Sequence, residues 1–394
     1  MKPRELNVLA LNSGSSSLKF GLYQVGASQT GTLINGEAGS IGAPKSKFEA
    51  QDARQQALLS ETTAIPTQRE AIMRIARLLA DRNMPAPDAV GHRIVHGGPT
   101  LLKHCRIDAS VLQQLQAACA FAPLHTPAAL SVIRYAREHF PGVAQMACFD
   151  TSFHAELPQV ARVLPIAKTW QLQGLRRYGF HGLSCESIVH QLGRDLPQRL
   201  VIAHLGNGAS ITAVRNGQSV DTSMGLTPTG GAIMGTRSGD LDPGVLVYLL
   251  REKNLDVDML EDLVDRHSGL AGISGVDSDM RRLREAAASN ADAALAIEMF
   301  CYSVSKHLAA MIAVLDGVDL IVFTGGIGEH DAQARARICR GLSWIGVSLD
   351  EARNRAGNNP INGAPSRCAV RVLASQEDEQ IARHVWELFP QSLS

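Results

Sequence analysis

The residues best suited to chemistry in this 394-residue chain lie in short segments rich in Gly, Ser and Thr. The first, Asn12 to Phe20, reads NSGSSSLKF. Its small residues let a backbone approach a phosphate, its hydroxyls can donate, and Lys19 adds a point charge. It is not a Walker A loop, because it holds one glycine and Phe20 follows Lys19. A polar hairpin turn has the same composition, and Asn12 is either a turn residue or an oxygen ligand for a metal.

Gly91 to Gly98 reads GHRIVHGG. Arg93 replaces the glutamate of a zinc-binding HExxH helix, and flanking glycines break any helix. What remains is a strand presenting Arg93 at a glycine-rich end, where its fork suits a carboxylate or phosphate. A surface arginine beside core histidines is the alternative. Three further segments carry histidines: APLHTP (Ala122 to Pro127), CFDTSFH (Cys148 to His154) and RRYGFHG (Arg176 to Gly182). Asp150 ends an apolar strand, a common place for a catalytic or metal-binding carboxylate in α/β folds. His125, His154 and His181 are each either site groups or core residues; His181 stands between Phe180 and Gly182.

The run from Asp221 to Gly244 has neither a helix nor a strand period and is expected to be a functional loop. Arg237, its only basic residue, suits a transferring phosphoryl group. In FTGGIGEH (Phe323 to His330) a strand, a glycine turn and a helix start can hold a nucleotide against backbone, without the spacing of a dinucleotide fingerprint. SGVDSDMR (Ser274 to Arg281) and SQEDEQIA (Ser375 to Ala382) complete the set. Glu377 begins a helix, where an acid is also favoured by the helix dipole.

These segments need elements to position them. Apolar, β-branched runs predict strands at Asn7–Asn12, Phe20–Val25, Ala89–Val95, Ala144–Asp150, Arg199–Leu205, Ser210–Arg215, Leu320–Gly325 and Val370–Ala374. Helical periodicity marks Thr67–Asp81, Ala109–Ala120, Thr126–His139 and, most strongly, about Ala293–Leu315. Strands mixed with helices indicate α/β architecture. A hairpin with a glycine-containing turn in each half, after Asn12 and after Leu205, suggests two related domains around one cleft. The stretch from Ser40 to Thr67 reads as peripheral.

Composition narrows the function. Lys plus Arg and Asp plus Glu are 38 each, so no basic excess points to nucleic acid. No apolar run approaches the ~20 residues needed to span a bilayer, and the short N-terminal run reads as a strand rather than a signal peptide. Seven scattered cysteines without a CxxC pair predict reduced thiols and a cytoplasmic protein.

Together NSGSSSLKF, GHRIVHGG, FDTSFH, RRYGFHG, HLGNGAS, DTSMG, MGTRSGDLDPG and FTGGIGE resemble, in order and over nearly the whole chain, the signatures of the acetate kinase family. The resemblance implies a fold of two duplicated actin-like (ribonuclease H-like) α/β domains with an ATP and substrate cleft between them. Residues 1–150 plus 380–394 would form the first domain and 151–379 the second. It further implies Mg²⁺ (or Mn²⁺), positioned by Asn12 and Glu377, with ATP as phosphoryl donor and acetate as acceptor. Asp150 would be the catalytic carboxylate, Arg93 would bind the substrate carboxylate, and His181 and Arg237 would stabilise the transferring group.

Lys19 would lie near the phosphates, which the backbone of His204, Leu205, Gly206, Asn207 and Gly208 would hold. Asp279, Met280 and Arg281, with Gly326, Ile327, Gly328, Glu329 and His330, would hold the adenosine. Val95, Leu124, Phe180 and Pro228 would surround the acetate methyl, with His125 lining the same site. A homodimer is implied too. Departures from the usual family pattern at Thr126, Thr229, Gly230 and His330 leave propionate or butyrate as alternative acceptors. A chaperone- or filament-type ATPase of the same superfamily would not need Arg93, His181 and Arg237 together.

Overall fold

The computed structural model describes residues 5–14, 16–122 and 126–389. These form two compact units. One comprises the residues up to 155, 182–187 and those from 376 onward; the other comprises 156–181 and 188–375.

The first unit is built on eight strands: β1 (Leu6–Ser13), β2 (Leu18–Val25), β3 (Thr30–Gly39), β4 (Ser46–Asp52), β5 (Ala57–Thr63), β6 (Ala89–Ile94), β7 (Cys105–Arg106) and β8 (Ala144–Phe149). Their order in the sheet is β5-β4-β3-β2-β1-β6-β8-β7. β1 runs antiparallel to β2 and parallel to β6, which is parallel to β8.

Alternation along β1 supplies both faces of the sheet. Leu9 and Leu11 join Phe20, Leu22 and Ile34 on one side, beneath helix Gln68–Asp81. Thr67 caps that helix by accepting from the Glu70 N–H. On the other side Val8 and Ala10 join Tyr23, Met146 and Cys148 beneath Ile381, Ala382 and Val385 of helix Glu377–Leu388. Gly91 in β6 makes that packing possible. A Cβ there would lie 2.5 Å from Ile381 Cγ2 and 2.6 Å from Val385 Cγ2. The Ser40 to Thr67 stretch is more ordered than its composition suggests, since it contains β4 and β5 at the sheet's edge.

The second unit carries β9 (Arg199–Leu205), β10 (Ala209–Arg215), β11 (Gln218–Thr222), β12 (Leu320–Thr324) and β13 (Ala369–Val372), in the order β11-β10-β9-β12-β13. β10 is antiparallel to both β11 and β9, and β9, β12 and β13 are mutually parallel. This repeats the β3-β2-β1-β6-β8 pattern of the first unit strand for strand, so the expected duplication is present.

Helix Ala291–Val314 buries Ala293, Ile297, Phe300, Val304, Leu308 and Met311, a three- and four-residue spacing that gives it one core face. By length and composition it is apolar enough to cross a membrane. That corrects the expectation that no segment is, which counted only uninterrupted apolar runs and so stopped at residues such as Glu298 and Lys306.

Candidate active site

In the first unit, β1, β6 and β8 deliver Asn12, Arg93 and Asp150 at the carboxyl ends of three neighbouring parallel strands. Asp150 directly follows β8, and its N–H still donates to Ile94 O at 3.0 Å. Arg93 donates from Nε to Asp150 Oδ1 and Oδ2 (3.1 and 3.0 Å) and from Nη2 to Oδ2 at 2.6 Å. Its Nη1 donates to Asn12 Oδ1 at 3.2 Å. Asn12 Nδ2 in turn donates to Glu377 Oε2 (3.1 Å) and Asp378 Oδ1 (2.8 Å) in the first turn of helix Glu377–Leu388. Glu379 points elsewhere and pairs with Arg383.

Three carboxylates thus surround one guanidinium. Burial raises the pKa of Asp150, the Arg93 charge opposes that rise, and Glu377 adds to it. Asp378 is pushed up to about 6 by burial and by Glu377, against the Asn12 hydrogen bond and the Lys19 charge. Burial works against the Arg93 charge, but Asp150 and Glu377 more than offset it and hold the group above its ordinary value. Lys19 sits opposite Asn12 across the β1–β2 pair and is exposed. The local surplus is negative, and the donors are hard oxygens, the set that suits a small divalent cation.

In the second unit, His204 on β9 and Ser210 on β10 are direct cross-strand partners, and His181 packs on both. His181 Nδ1 lies 3.0 Å from Ser210 Oγ, and the His181 and His204 rings stack with centroids 4.2 Å apart. His181 also holds a left-handed backbone, φ 58°, uncommon for a non-glycine residue and frequent at working sites. Gly208 lies between His181 and Arg237. A Cβ on Gly208 would be 3.1 Å from His181 Nε2 and 3.3 Å from Arg237 Nη1. Arg237 Nη1 donates to Pro228 O at 3.3 Å, within the long loop after β11.

The β9–β10 turn approaches the helix start after β12. A Cβ on Gly206 would lie 3.9 Å from the Gly326 N, and Gly325, at φ 77°, would crowd Leu205 O with any Cβ. Glu329 Oε1 accepts the N–H groups of Gly325 (2.9 Å) and Ser375 (3.0 Å). Gly326 and His330 are exposed, Ile327 is half-buried and Gly328 is buried. Asp279 caps helix Met280–Ala286 and pairs with the exposed Arg281, while Met280 is buried. Arg284 of that helix binds Asp331 at 2.7 Å, which ties the two expected adenosine segments together.

Val95 is buried in the first unit and Phe180 in the second, and Pro228 is half-buried. Leu124 and His125 lie outside the described residues. Sequence reasoning missed Asp378 and Ser210 and expected only backbone from His204. The signals available were the second acid at a helix start and the register of a two-stranded turn.

The sequence model of the Acetokinase family matches residues 7–383. An acetate kinase of Methylocella silvestris is 42% identical over 402 aligned residues, covering 98% of each chain. The crystal structure of a propionate kinase from Francisella tularensis aligns with a TM-score of 0.89 at 35% identity, covering 96% of this chain and 98% of that one. The crystal structure of Porphyromonas gingivalis acetate kinase aligns with a TM-score of 0.85 at 33% identity, covering 98% and 100%. On sequence over nearly its whole length, and on a fold shared with both solved relatives, the chain belongs to the acetokinase family.

Proposed function

We propose that the chain catalyses reversible, Mg²⁺-dependent transfer of the ATP γ-phosphoryl group to acetate, giving acetyl phosphate and ADP by direct in-line displacement. As a family member it is a phosphotransferase with a carboxyl group as acceptor. The observation that carries the residue assignments is the Arg93–Asp150–Asn12–Glu377–Asp378 network at three parallel strand ends.

The acceptor is a carboxylate, already ionised at neutral pH, so the reaction needs no general base on the nucleophile. Asp150 therefore serves by holding Arg93 and by contributing negative charge to a cation site. Arg93 has five N–H donors, and its contacts with Asp150 and Asn12 leave some for an acceptor carboxylate. Glu377 and Asp378, with the Asn12 amide turned to present its oxygen, would hold Mg²⁺ or Mn²⁺. When bound, the ion would neutralise phosphate charge. His181 and Arg237 are assigned to the equatorial oxygens of the transferring group, where catalysis is mainly placement and charge.

The His204 to Gly208 backbone and Lys19 are assigned to the phosphates, and Asp279 to Arg281 with Gly326 to His330 to the adenosine. Val95, Leu124, Phe180 and Pro228, with His125, are assigned to the methyl group. Propionate is the second reading, favoured by the likeness to the Francisella tularensis propionate kinase. One methylene changes discrimination by only ~1–3 kcal/mol. ADP release is measured with acetate, propionate, butyrate or no carboxylate, and the acyl phosphate is trapped with hydroxylamine. Acetate-dependent ADP supports the reading; release indifferent to every carboxylate overturns it.

A homodimer is part of the proposal. Helix Pro243–Glu252 buries none of its residues, and Val245, Val247, Tyr248 and Leu250 on it are exposed. Val257 and Met259 begin a second such helix, Val257–Arg266. Exposed apolar side chains gathered on two successive helices suit burial against a second copy of the chain. All seven cysteines are free, in keeping with the cytoplasmic location we infer.

A further inference from the structure

Outside the site just described, the first unit gathers three titratable side chains at one point. His104 precedes β7, Glu186 lies on helix Gly182–Leu192, and His384 lies two turns beyond Glu377 on helix Glu377–Leu388. Glu186 Oε2 is 2.8 Å from His384 Nε2 and 3.6 Å from His104 Nε2. The two imidazole rings are 4.0 Å apart. All three side chains are largely enclosed, at 11–16% exposure.

Two histidines and a glutamate have the composition of a zinc site, but the hydrogen bonds argue against one. Phe149 N–H donates to His104 Nδ1 at 3.0 Å, so that nitrogen carries the lone pair and the neutral ring keeps its proton on Nε2. The nitrogen facing Glu186 is then a donor, not a ligand. His384 has a carboxylate at each nitrogen, Glu186 at Nε2 and Glu387 at 3.3 Å from Nδ1, which is the setting of an imidazolium. Burial opposes that charge, but the two carboxylates outweigh it and raise the His384 pKa to about 9. Glu186 is held down at about 2, because the His384 hydrogen bond and the nearby His104 ring overcome its burial. The Gln380 amide nitrogen also lies 3.0 Å from His384 Nε2, while its oxygen accepts from Arg383 Nη1 at 3.1 Å.

The cluster joins the two elements that carry the proposed cation site. Through His104 it grips Phe149, whose next residue is Asp150. Glu186 stands one turn along from Gly182, whose N–H donates to Asp150 O at 2.8 Å. Through His384 it grips the helix that begins with Glu377 and Asp378.

We propose that Glu186, held between His104 and His384, is a positioning residue for phosphoryl transfer. It fixes the Asp150 end of β8 against helix Glu377–Leu388 and so sets the spacing of the cation-binding carboxylates. The inference rests on the cation-site reading given above.

The test compares the parent with Glu186→Gln, His384→Gln and the double variant. It measures kcat, KM for acetate, the Mg²⁺ concentration for half-maximal rate, and thermal unfolding. The expected result is an Mg²⁺ requirement raised about tenfold in each single variant, as for loss of a group that orients a ligand, with acetate KM unchanged. The double variant is expected to match the singles, because they break one network. An unchanged Mg²⁺ requirement with lowered unfolding temperature would overturn the proposal and leave a structural brace. Stoichiometric Zn²⁺ binding that Glu186→Gln abolishes would overturn it in favour of a metal site.

Asp378→Asn separates the two readings. If it leaves the Mg²⁺ requirement unchanged, the cation-site reading itself fails; if it alone raises it, only the role of Glu186 fails. Should the variants not fold, the parent decides: its Mg²⁺ requirement is expected to rise as pH climbs through about 9, where His384 loses its proton. A flat profile there counts against the proposal.

Discussion

Arg93 and Asp150 meet edge to edge, with Nε and Nη2 of the guanidinium both donating to the carboxylate, the shorter bond at 2.6 Å. The pair is nearly enclosed, at 18% and 1% side-chain exposure. A lysine keeps the charge but cannot make the fork. Arg93→Lys is therefore expected to raise acetate KM about tenfold to a hundredfold, the worth of one or two charge-assisted hydrogen bonds. Steady-state kinetics with varied acetate checks this, and an unchanged KM would remove Arg93 from the acceptor site.

Arg237 is expected to act on rate more than on binding. Arg237→Ala should lower kcat about a thousandfold, the effect of losing an arginine from a phosphoryl-transfer site, with the fold intact. Near-full turnover in a variant with parental circular dichroism would refute the assignment.

Gly208 gives a subtler probe of the same place. A single methyl would press on both His181 Nε2 and Arg237 Nη1. Gly208→Ala should cut kcat by about tenfold or more through misplacement, while unfolding temperature stays close to the parent. Equal kcat in the two proteins would mean that neither side chain needs its present position.

His92 sets an acid limit on the first unit. Burial lowers its pKa to about 4 from 6.5, against the Gln145 hydrogen bond at Nε2. The unfolded chain then binds more protons than the folded one between those values, so stability falls as pH drops through that window. Urea unfolding at a series of pH values should show this fall, and His92→Gln should flatten it. An equally steep fall in the variant would place the acid sensitivity elsewhere.

The exposed apolar helices predict association. Val245→Glu with Tyr248→Glu should shift the sedimenting species from dimer to monomer, since a desolvated charge is costly in an interface. A parent that sediments as a monomer at micromolar concentration would end the homodimer proposal.

Much of this was legible in residue order, and the exceptions have physical causes. Strands buried on both faces, such as β9 and β12, are continuous apolar runs and announce themselves. β5, with the partly exposed sequence ALLSETT at the sheet edge, carries little such signal. The helix start at 377 displays three acids in a row, and only the roughly 100° step between neighbours decides which two reach Asn12. His104, Glu186 and His384 share no local pattern at all. They meet because separate elements pack on one sheet.

Helix Glu377–Leu388 has a consequence for biosynthesis. It seals the face of the first sheet formed by Val8, Ala10, Tyr23 and Met146, yet it is synthesised only after every residue of the second unit. The second unit has all its residues by Ser375. Domains generally fold as units when their sequence is out, so the unit begun second is the one that can finish first. Meanwhile the nascent chain carries an open, greasy sheet face, a natural target for holdase chaperones until its closing helix emerges.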